Sequence, residues 1–267
     1  LGGQYGLGYD PSKERHDELR RYSIPFLMRA TAESELQTFD PRGKLIYPSQ
    51  FNLGSCEGHE IALCMQYINF LATGKIVPMS RMWGYLQAQI KDGGMRGDMG
   101  ASIAGGVAAM KDVGMCKEST FPYPNPVQYV TRWPANAPVE AKQHRLKNSS
   151  VMQSYEDVRH WVGMAIGPTG IGINWTPALA NNRSGVIRLA DCKGQSLGGH
   201  ALALVSLASD RSHVWLVNSH GEQWGDRGCA QVEPEAVDYW CKSGAAVIGV
   251  SDMETYGRRH IPVGDIT

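Results

Sequence analysis

Cys56 follows Gln50-Phe51-Asn52-Leu53-Gly54-Ser55 and opens a stretch whose apolar residues recur at helical spacing. It therefore stands where free backbone N–H groups and aligned peptide dipoles favour a thiolate over a thiol. Taken alone, a cysteine is more often a small buried hydrophobe. Nucleophilic use requires an imidazole and a group that orients it, and both usually come from distant segments. His200 lies in Gly198-Gly199-His200-Ala201, at the head of an apolar run, and Asn218 ends the run Val214–Val217. Adjacent antiparallel strands would bring Asn218 beside His200. Each residue by itself reads as a strand-end histidine or a turn-forming asparagine. With Cys56 they supply a nucleophile, an acid–base group and an orienter.

Other chemistry is poorly supported. His59-Glu60 invites comparison with His-Glu-x-x-His, but position 63 is Leu63, so the pair reads as a solvent-facing polar patch. Gly93-Gly94-Met95-Arg96-Gly97 lacks the Lys-Ser/Thr of a phosphate loop and reads as a flexible turn. The six cysteines include no Cys-x-x-Cys pair, so neither structural zinc nor a disulfide framework is expected, and no cofactor is implied.

Several elements must position these residues. Ile61, Cys64, Met65, Ile68, Leu71 and Ala72 mark a helix over 56–72 buried along one stripe. A second helix is expected over about 101–113, ended by Gly114. Five prolines between Pro122 and Pro138 make that stretch a connection between two halves. Ser154 with Asp157 resembles a capping box, and Val158, Trp161, Val162 and Ala165 then form a short amphipathic helix. Gly170–Asn174, Ala201–Leu207, Val214–Val217 and Ala245–Val250 read as strands. A helical first half and a β-rich second half predict an α+β fold with two lobes. The first 40 residues or so are mixed in charge before Ile24, Phe26, Leu27 and Met28, which fits a solvated or partly helical arm.

The 26 Lys+Arg balance 26 Asp+Glu, so no global basic field would draw nucleic acid or anionic lipid. With 42% apolar and 19% charged residues among 267, a packed core is expected and intrinsic disorder is not. The longest stretch free of acids, Lys and Arg, from His160 to Asn182, is broken by glycines, Pro168 and Pro177, so no transmembrane helix is expected. Leu1 opens the chain with neither a basic nor an apolar leader, an expectation that any signal peptide was removed or never existed.

Gln50-x5-Cys56 within Gln-Phe-Asn-Leu-Gly-Ser-Cys, Gly-His200-Ala, and Asn218-Ser-x-Gly-x-x-Trp224-Gly together resemble the papain-like cysteine protease family. Asp98-Met99-Gly100-Ala101-Ser102, the Gly114–Tyr123 segment and Gly167-Pro168-Thr169 extend the likeness, in order, from about Gln50 to Val250. The style is that of bacterial and phage-type members. The resemblance implies a helical lobe over about 41–140 packed against an antiparallel, barrel-like β-rich lobe over about 141–255, with the cleft between them. Residues 1–40 form an extension and 256–267 a tail. It further implies Cys56 as nucleophile, His200 as acid–base partner, Asn218 as orienter and Gln50 as oxyanion donor. Gly100 and Trp224 are placed at the substrate. The activity implied is endopeptidase cleavage of a polypeptide through a thioester. The alternatives are transpeptidation or peptidoglycan amidase action by the same Cys–His pair, or a binding or structural module that keeps only the fold. An assembly partner would be met through the N-terminal arm.

Three positions depart from the family. Glu57 replaces the tryptophan after the nucleophile, and its charge would raise the thiol pKa if it pointed into the cleft. His220 replaces the aromatic that covers the histidine–asparagine bond; titrating near neutrality, it would repel the His200 imidazolium and narrow the active pH range. Leu53 replaces a cysteine used in a disulfide of secreted relatives, which favours a reducing compartment or a virion over secretion.

Overall fold

The computed structural model describes residues 6–14 and 35–253. Ile24, Phe26, Leu27 and Met28 of the expected arm, and the tail beyond Met253, lie outside the described residues.

Three long helices come first. The first, α1 (Cys56–Thr73), ends at Gly74, whose φ of 72° gives the left-handed cap and sends its N–H to the Phe70 carbonyl. The second, α2 (Arg81–Lys91), is capped by the Ser80 hydroxyl, which accepts from Trp83 N–H, and the third, α3 (Ile103–Asp112), by Ser102 in the same way. Every residue of α1 from Cys56 to Leu71 is buried. The expected single apolar stripe is therefore too narrow: α1 runs through the middle of the molecule and meets protein all round. The polar patch expected at His59 and Glu60 is corrected with it, since these residues are 6% and 3% exposed. Gly58 permits the crossing with α2, because a Cβ there would stand 2.4 Å from the Arg81 carbonyl oxygen.

The irregular proline-rich stretch leads into α4 (Ala137–Ala141). The second half contains β1 (Leu146–Val151), α5 (Tyr155–Gly163), β2 (Thr169–Trp175), α6 (Pro177–Ala180) and β3 (Val186–Ile187). Then come β4 (Gly198–Leu207), β5 (Val214–Val217), β6 (Cys229–Val232), α7 (Pro234–Lys242) and β7 (Ala246–Met253). The strands form one sheet in the order β1-β7-β2-β4-β5-β6-β3, antiparallel except for the β3–β6 pair. The expected two-part α+β architecture is present, and the barrel-like description is corrected: the sheet is open.

Strand β4 shows why the two halves hold together. Ala201, Ala203 and Val205 face the core shared with α1 and α3, whereas Leu202, Leu204 and Leu207 face the core shared with α5 and α7. The period-two alternation of a strand buried on both faces produces this division from Ala201 to Val205; the register shift against β5 between Leu204 and Ser206 interrupts it, and Leu207 falls in the second core. The small alanines let α1 approach the sheet. As expected, Ser154 caps α5 by accepting the Asp157 N–H at 3.2 Å. All six cysteines are free thiols.

Candidate active site

Cys56 is the first residue of α1, and the turn before it is tightly held. Asp98 accepts the Gly54 N–H through both oxygens, at 2.9 and 3.0 Å, and also accepts the Tyr85 hydroxyl. The Ser55 hydroxyl is paired with Tyr123 at 2.7 Å, while His59 Nδ1 lies 3.0 Å from the Ser55 carbonyl. Neither Asp98 nor Tyr123 stood out in the sequence as positioning residues, because their partners come from separate segments.

His200 is the third residue of β4, and Asn218 immediately follows β5, the neighbouring strand. Antiparallel pairing brings them together as expected, with His200 Nε2 2.8 Å from Asn218 Oδ1. The Ser219 N–H donates to the same Oδ1 at 2.8 Å, which identifies that atom as the amide oxygen. His200 Nε2 must then be the protonated nitrogen. Its Nδ1 is buried with no hydrogen-bond partner among the described residues. The backbone of Ala201, directly after His200, acts on the Cys56 thiol and favours its charged form. The head of β4 thus carries the imidazole and, one residue on, a backbone group that acts on the nucleophile.

Gln50 is fixed at both ends of its amide. The Ser219 hydroxyl donates to Oε1, and Nε2 donates to the carbonyls of Gly6 (2.6 Å) and Leu53 (2.9 Å). The first of these acceptors belongs to the N-terminal segment, which the sequence reading treated as a solvated arm without a role at the site. That expectation is corrected. Residues 6–10 run along the cleft: Gly6 N–H donates to Phe51 O, Ala101 N–H to Gly8 O (2.7 Å), Tyr9 N–H to Gly199 O and Asp10 N–H to Ala101 O. Tyr9 is 6% exposed, with its ring against β2 and β4; a Cβ on Gly172 would stand 2.3 Å from it. Cys56 and His200 are fully buried. A small cavity is lined in part by His59, Arg81, Asn218 and Ser219, and the segment lies against the turn before Cys56, where a Cβ on Gly8 would stand 1.7 Å from the Gly54 carbonyl oxygen.

Two further expectations shift in detail. Gly100 does not pair its own backbone with the extended segment: its N–H goes to the Tyr85 hydroxyl and its carbonyl accepts from Gln89. Ala101 makes the pairing, and Gly100 provides room, since a Cβ there would be 1.8 Å from Gly8 O. Trp224 does not line the cleft. It is buried in the outer core, with its indole N–H on the Leu179 carbonyl and its ring 6.0 Å from Trp175. Trp175, which the sequence reading did not single out, is the aromatic in contact with His200, at 4.5 Å between centroids. His220 lies on the same imidazole at 4.4 Å.

Burial dominates the electrostatics of this closed arrangement. It pushes the Cys56 thiol up to about 11, against hydrogen bonds from the backbone of Ala201, Gly8 and Glu57. It pushes His200 down to about 4, partly opposed by Asn218. Both shifts run against a thiolate–imidazolium pair, desolvation opposing the helix terminus that was expected to favour a thiolate. Burial, with a smaller contribution from His200, also holds His220 down to about 2. The expectation that His220 titrates near neutrality is overturned. Glu57 points away from the cleft onto α3, where Gly106 leaves room for it, and burial raises its carboxyl well above the usual range. No group of three or more His, Cys, Asp or Glu suited to a metal occurs among the described residues, and no described helix is long and apolar enough to cross a membrane.

Comparison with known proteins agrees with this geometry. Residues 37–248 match the model of the papain family cysteine proteases. Cathepsin 7 of Rattus norvegicus is 24% identical over 198 residues, covering 72% of this chain and 58% of the relative. An uncharacterized peptidase C1-like protein, L477, of Acanthamoeba polyphaga mimivirus is 22% identical over 211 residues, covering 72% and 67%. The matched region spans only about 58% of the cathepsin 7 relatives. Among solved structures, xylellain, a cysteine protease from Xylella fastidiosa, superimposes with a TM-score of 0.73 at 17% identity, covering 94% of this chain and 96% of its own. Digestive procathepsin L 3 of Tenebrio molitor gives 0.69 at 17% identity, covering 91% and 77%.

Proposed function

Because the chain belongs to the papain family of cysteine proteases, we propose that it is an endopeptidase in which Cys56, His200, Asn218 and Gln50 cleave peptide bonds through a thioester. The observation that carries this reading is the His200–Asn218 bond, which leaves His200 Nδ1 without a hydrogen-bond partner among the described residues, next to Ala201, whose backbone acts on the Cys56 thiol. With Nε2–H held by Asn218, Nδ1 takes the thiol proton and the sulfur attacks the scissile carbonyl carbon. The oxyanion that forms is met by the Cys56 N–H and by Gln50 Nε2, whose direction Ser219 fixes. As the tetrahedral intermediate collapses to the thioester, the imidazolium returns its proton to the leaving amine. Water, deprotonated by His200, then releases the carboxylic acid and restores the thiol.

Residues 6–10 hold the positions an extended peptide would need, and the Gly6 carbonyl already occupies Gln50 Nε2. The arrangement is the self-blocked form of the enzyme, and the segment must leave before a substrate enters. This accounts for the burial of the pair without invoking a module that has lost its chemistry. Digestion of a peptide library by wild type and by Cys56→Ala tests the reading. Cleavage should vanish in Cys56→Ala and His200→Ala with the fold retained, and Gln50→Ala should lose about 100- to 1,000-fold. Asn218→Ala, which removes an orienting group, should be milder. Comparable cleavage by Cys56→Ala would overturn the mechanism.

A further inference from the structure

Tyr123 has no part in the proposed chemistry, yet its side chain lies between the two residues that bring the oxyanion donors together. A carbonyl oxygen only accepts, so the Tyr123 hydroxyl donates to the Gln50 carbonyl at 3.0 Å. A phenol has one proton, so in the 2.7 Å contact with Ser55 it is the Ser55 hydroxyl that donates. The Ser55 carbonyl is held in turn by His59 Nδ1 at 3.0 Å, the donor in that bond. All four residues are buried. One phenolic oxygen thus ties the backbone of Gln50, whose amide is one oxyanion donor, to the residue whose peptide bond with Cys56 carries the other.

The phenol is itself placed from the far side. The Tyr123 N–H donates to Glu118 Oε1 at 2.8 Å, and Glu118 pairs with Arg81, the first residue of α2. The Arg81 guanidinium lies over the Tyr123 ring at 4.6 Å, and the His59 ring meets that ring edge-on at 4.8 Å. Ser80, which caps α2, donates its hydroxyl to the Phe121 carbonyl at 2.7 Å. Burial pushes the phenol pKa up to about 12, opposed by Ser55, so the hydroxyl keeps its proton at neutral pH.

The loop that the phenol spans needs holding. Phe51, directly after Gln50, has a φ of 53°, the left-handed region that a residue with a Cβ enters at a cost, and its ring is 56% exposed, so little burial offsets that cost. Such a conformation persists where the surroundings fix it. The Tyr123 hydroxyl fixes this one on both sides, at Gln50 and at Ser55.

We propose that Tyr123 is a positioning residue of the oxyanion hole, its hydroxyl setting the separation between the Gln50 amide and the Cys56 N–H. The inference rests on the proposed peptidase reading and gives Tyr123 no contact with substrate. Two donors stabilise an oxyanion only when both point at one place. Without the hydroxyl, the Gln50 carbonyl and the Ser55 hydroxyl lose their common partner, and the strained turn between them relaxes. The loss falls on the tetrahedral intermediate and spares the bound ground state, so it lowers kcat and leaves KM in place.

Tyr123→Phe keeps the ring between Arg81 and His59 and removes only the oxygen. On one peptide substrate its kcat should fall about tenfold, a fraction of the loss of a whole donor, with KM within about twofold of wild type. In the Gln50→Ala background the same change should cost less than about threefold, since no second donor remains to be aligned. Alkylation of Cys56 by iodoacetamide, a displacement at carbon that forms no oxyanion, should run at the wild-type rate in Tyr123→Phe. A wild-type kcat in Tyr123→Phe overturns the proposal. So does a tenfold loss that persists in full in the Gln50→Ala background, or an equal slowing of alkylation and hydrolysis, either of which would make Tyr123 a general support of the fold. If wild type cleaves no peptide, the peptidase reading falls and the inference falls with it; cleavage by wild type and Tyr123→Phe at equal kcat overturns the inference alone.

Discussion

Replacing Tyr9 by alanine removes the side chain that anchors the segment over Cys56. The ring is 6% exposed, lies against positions 172 and 199 where glycine leaves space for it, and has the Ala246 backbone at its hydroxyl. Truncating a buried aromatic costs about 3–5 kcal/mol in a core. The lower end applies here, because a segment that can leave limits the loss to its docking energy. About 3 kcal/mol corresponds to roughly a hundredfold rise in the open population. The assay is alkylation of Cys56 by iodoacetamide, read by peptide mass, with the buried Cys64, Cys116, Cys192 and Cys229 as internal references. Tyr9→Ala should be labelled at Cys56 roughly a hundred times faster than wild type, while the reference thiols keep their rates. Tyr9→Phe, which retains the ring, should stay within tenfold of wild type. Equal Cys56 rates in Tyr9→Ala and wild type would refute the claim that this ring keeps the cleft closed, and a parallel acceleration at all cysteines would show general loosening instead.

Glu60→Gln should stabilise the chain near neutrality. Burial holds Glu60 at about 8, so its contribution to stability is complete below the ordinary carboxylate pKa and is lost as the pH rises to that value. The stability difference between Glu60→Gln and wild type should therefore grow by about 3 kcal/mol from pH 4.5 to 7 in urea unfolding, and a pH-independent difference would refute the assignment. Because His220 is neutral above about pH 2, His220→Phe should leave the limbs of the Cys56 alkylation–pH profile in place. A limb between pH 6 and 7 that appears in wild type and vanishes in the variant would show that His220 titrates there after all.

The residues that carry the chemistry were legible one at a time. Cys56 at a helix start, His200 at the head of an apolar run and Asn218 at the end of the next are local signals, and the strand alternation that makes His200 and Asn218 neighbours is written in the same runs. Helix α1 and strands β2, β4, β5 and β7 were legible for the same reason: their apolar periodicity is long or strong. Helix α2 was not, because Gly84 interrupts its apolar face. That glycine answers to a contact across the fold, where a Cβ would stand 2.9 Å from Ile61. Strand β1 was missed because it is mostly polar, reading Leu-Lys-Asn-Ser-Ser-Val, and it becomes a strand through pairing with β7.

The sequence by itself determined which residue types stand at element ends and which faces are apolar, since these follow from backbone geometry over a few residues. Tertiary structure alone decided ionisation and access. Whether Cys56 is a thiolate, whether His220 titrates and whether Glu57 touches the cleft depend on solvent exclusion, which is a property of the packed whole. The same holds for residues 6–14. Their composition reads as a polar, solvated arm, yet Tyr9 is buried where Gly172 on β2 and Gly199 on β4 leave room for it, and its neighbours pair with Ala101 from the other half of the chain.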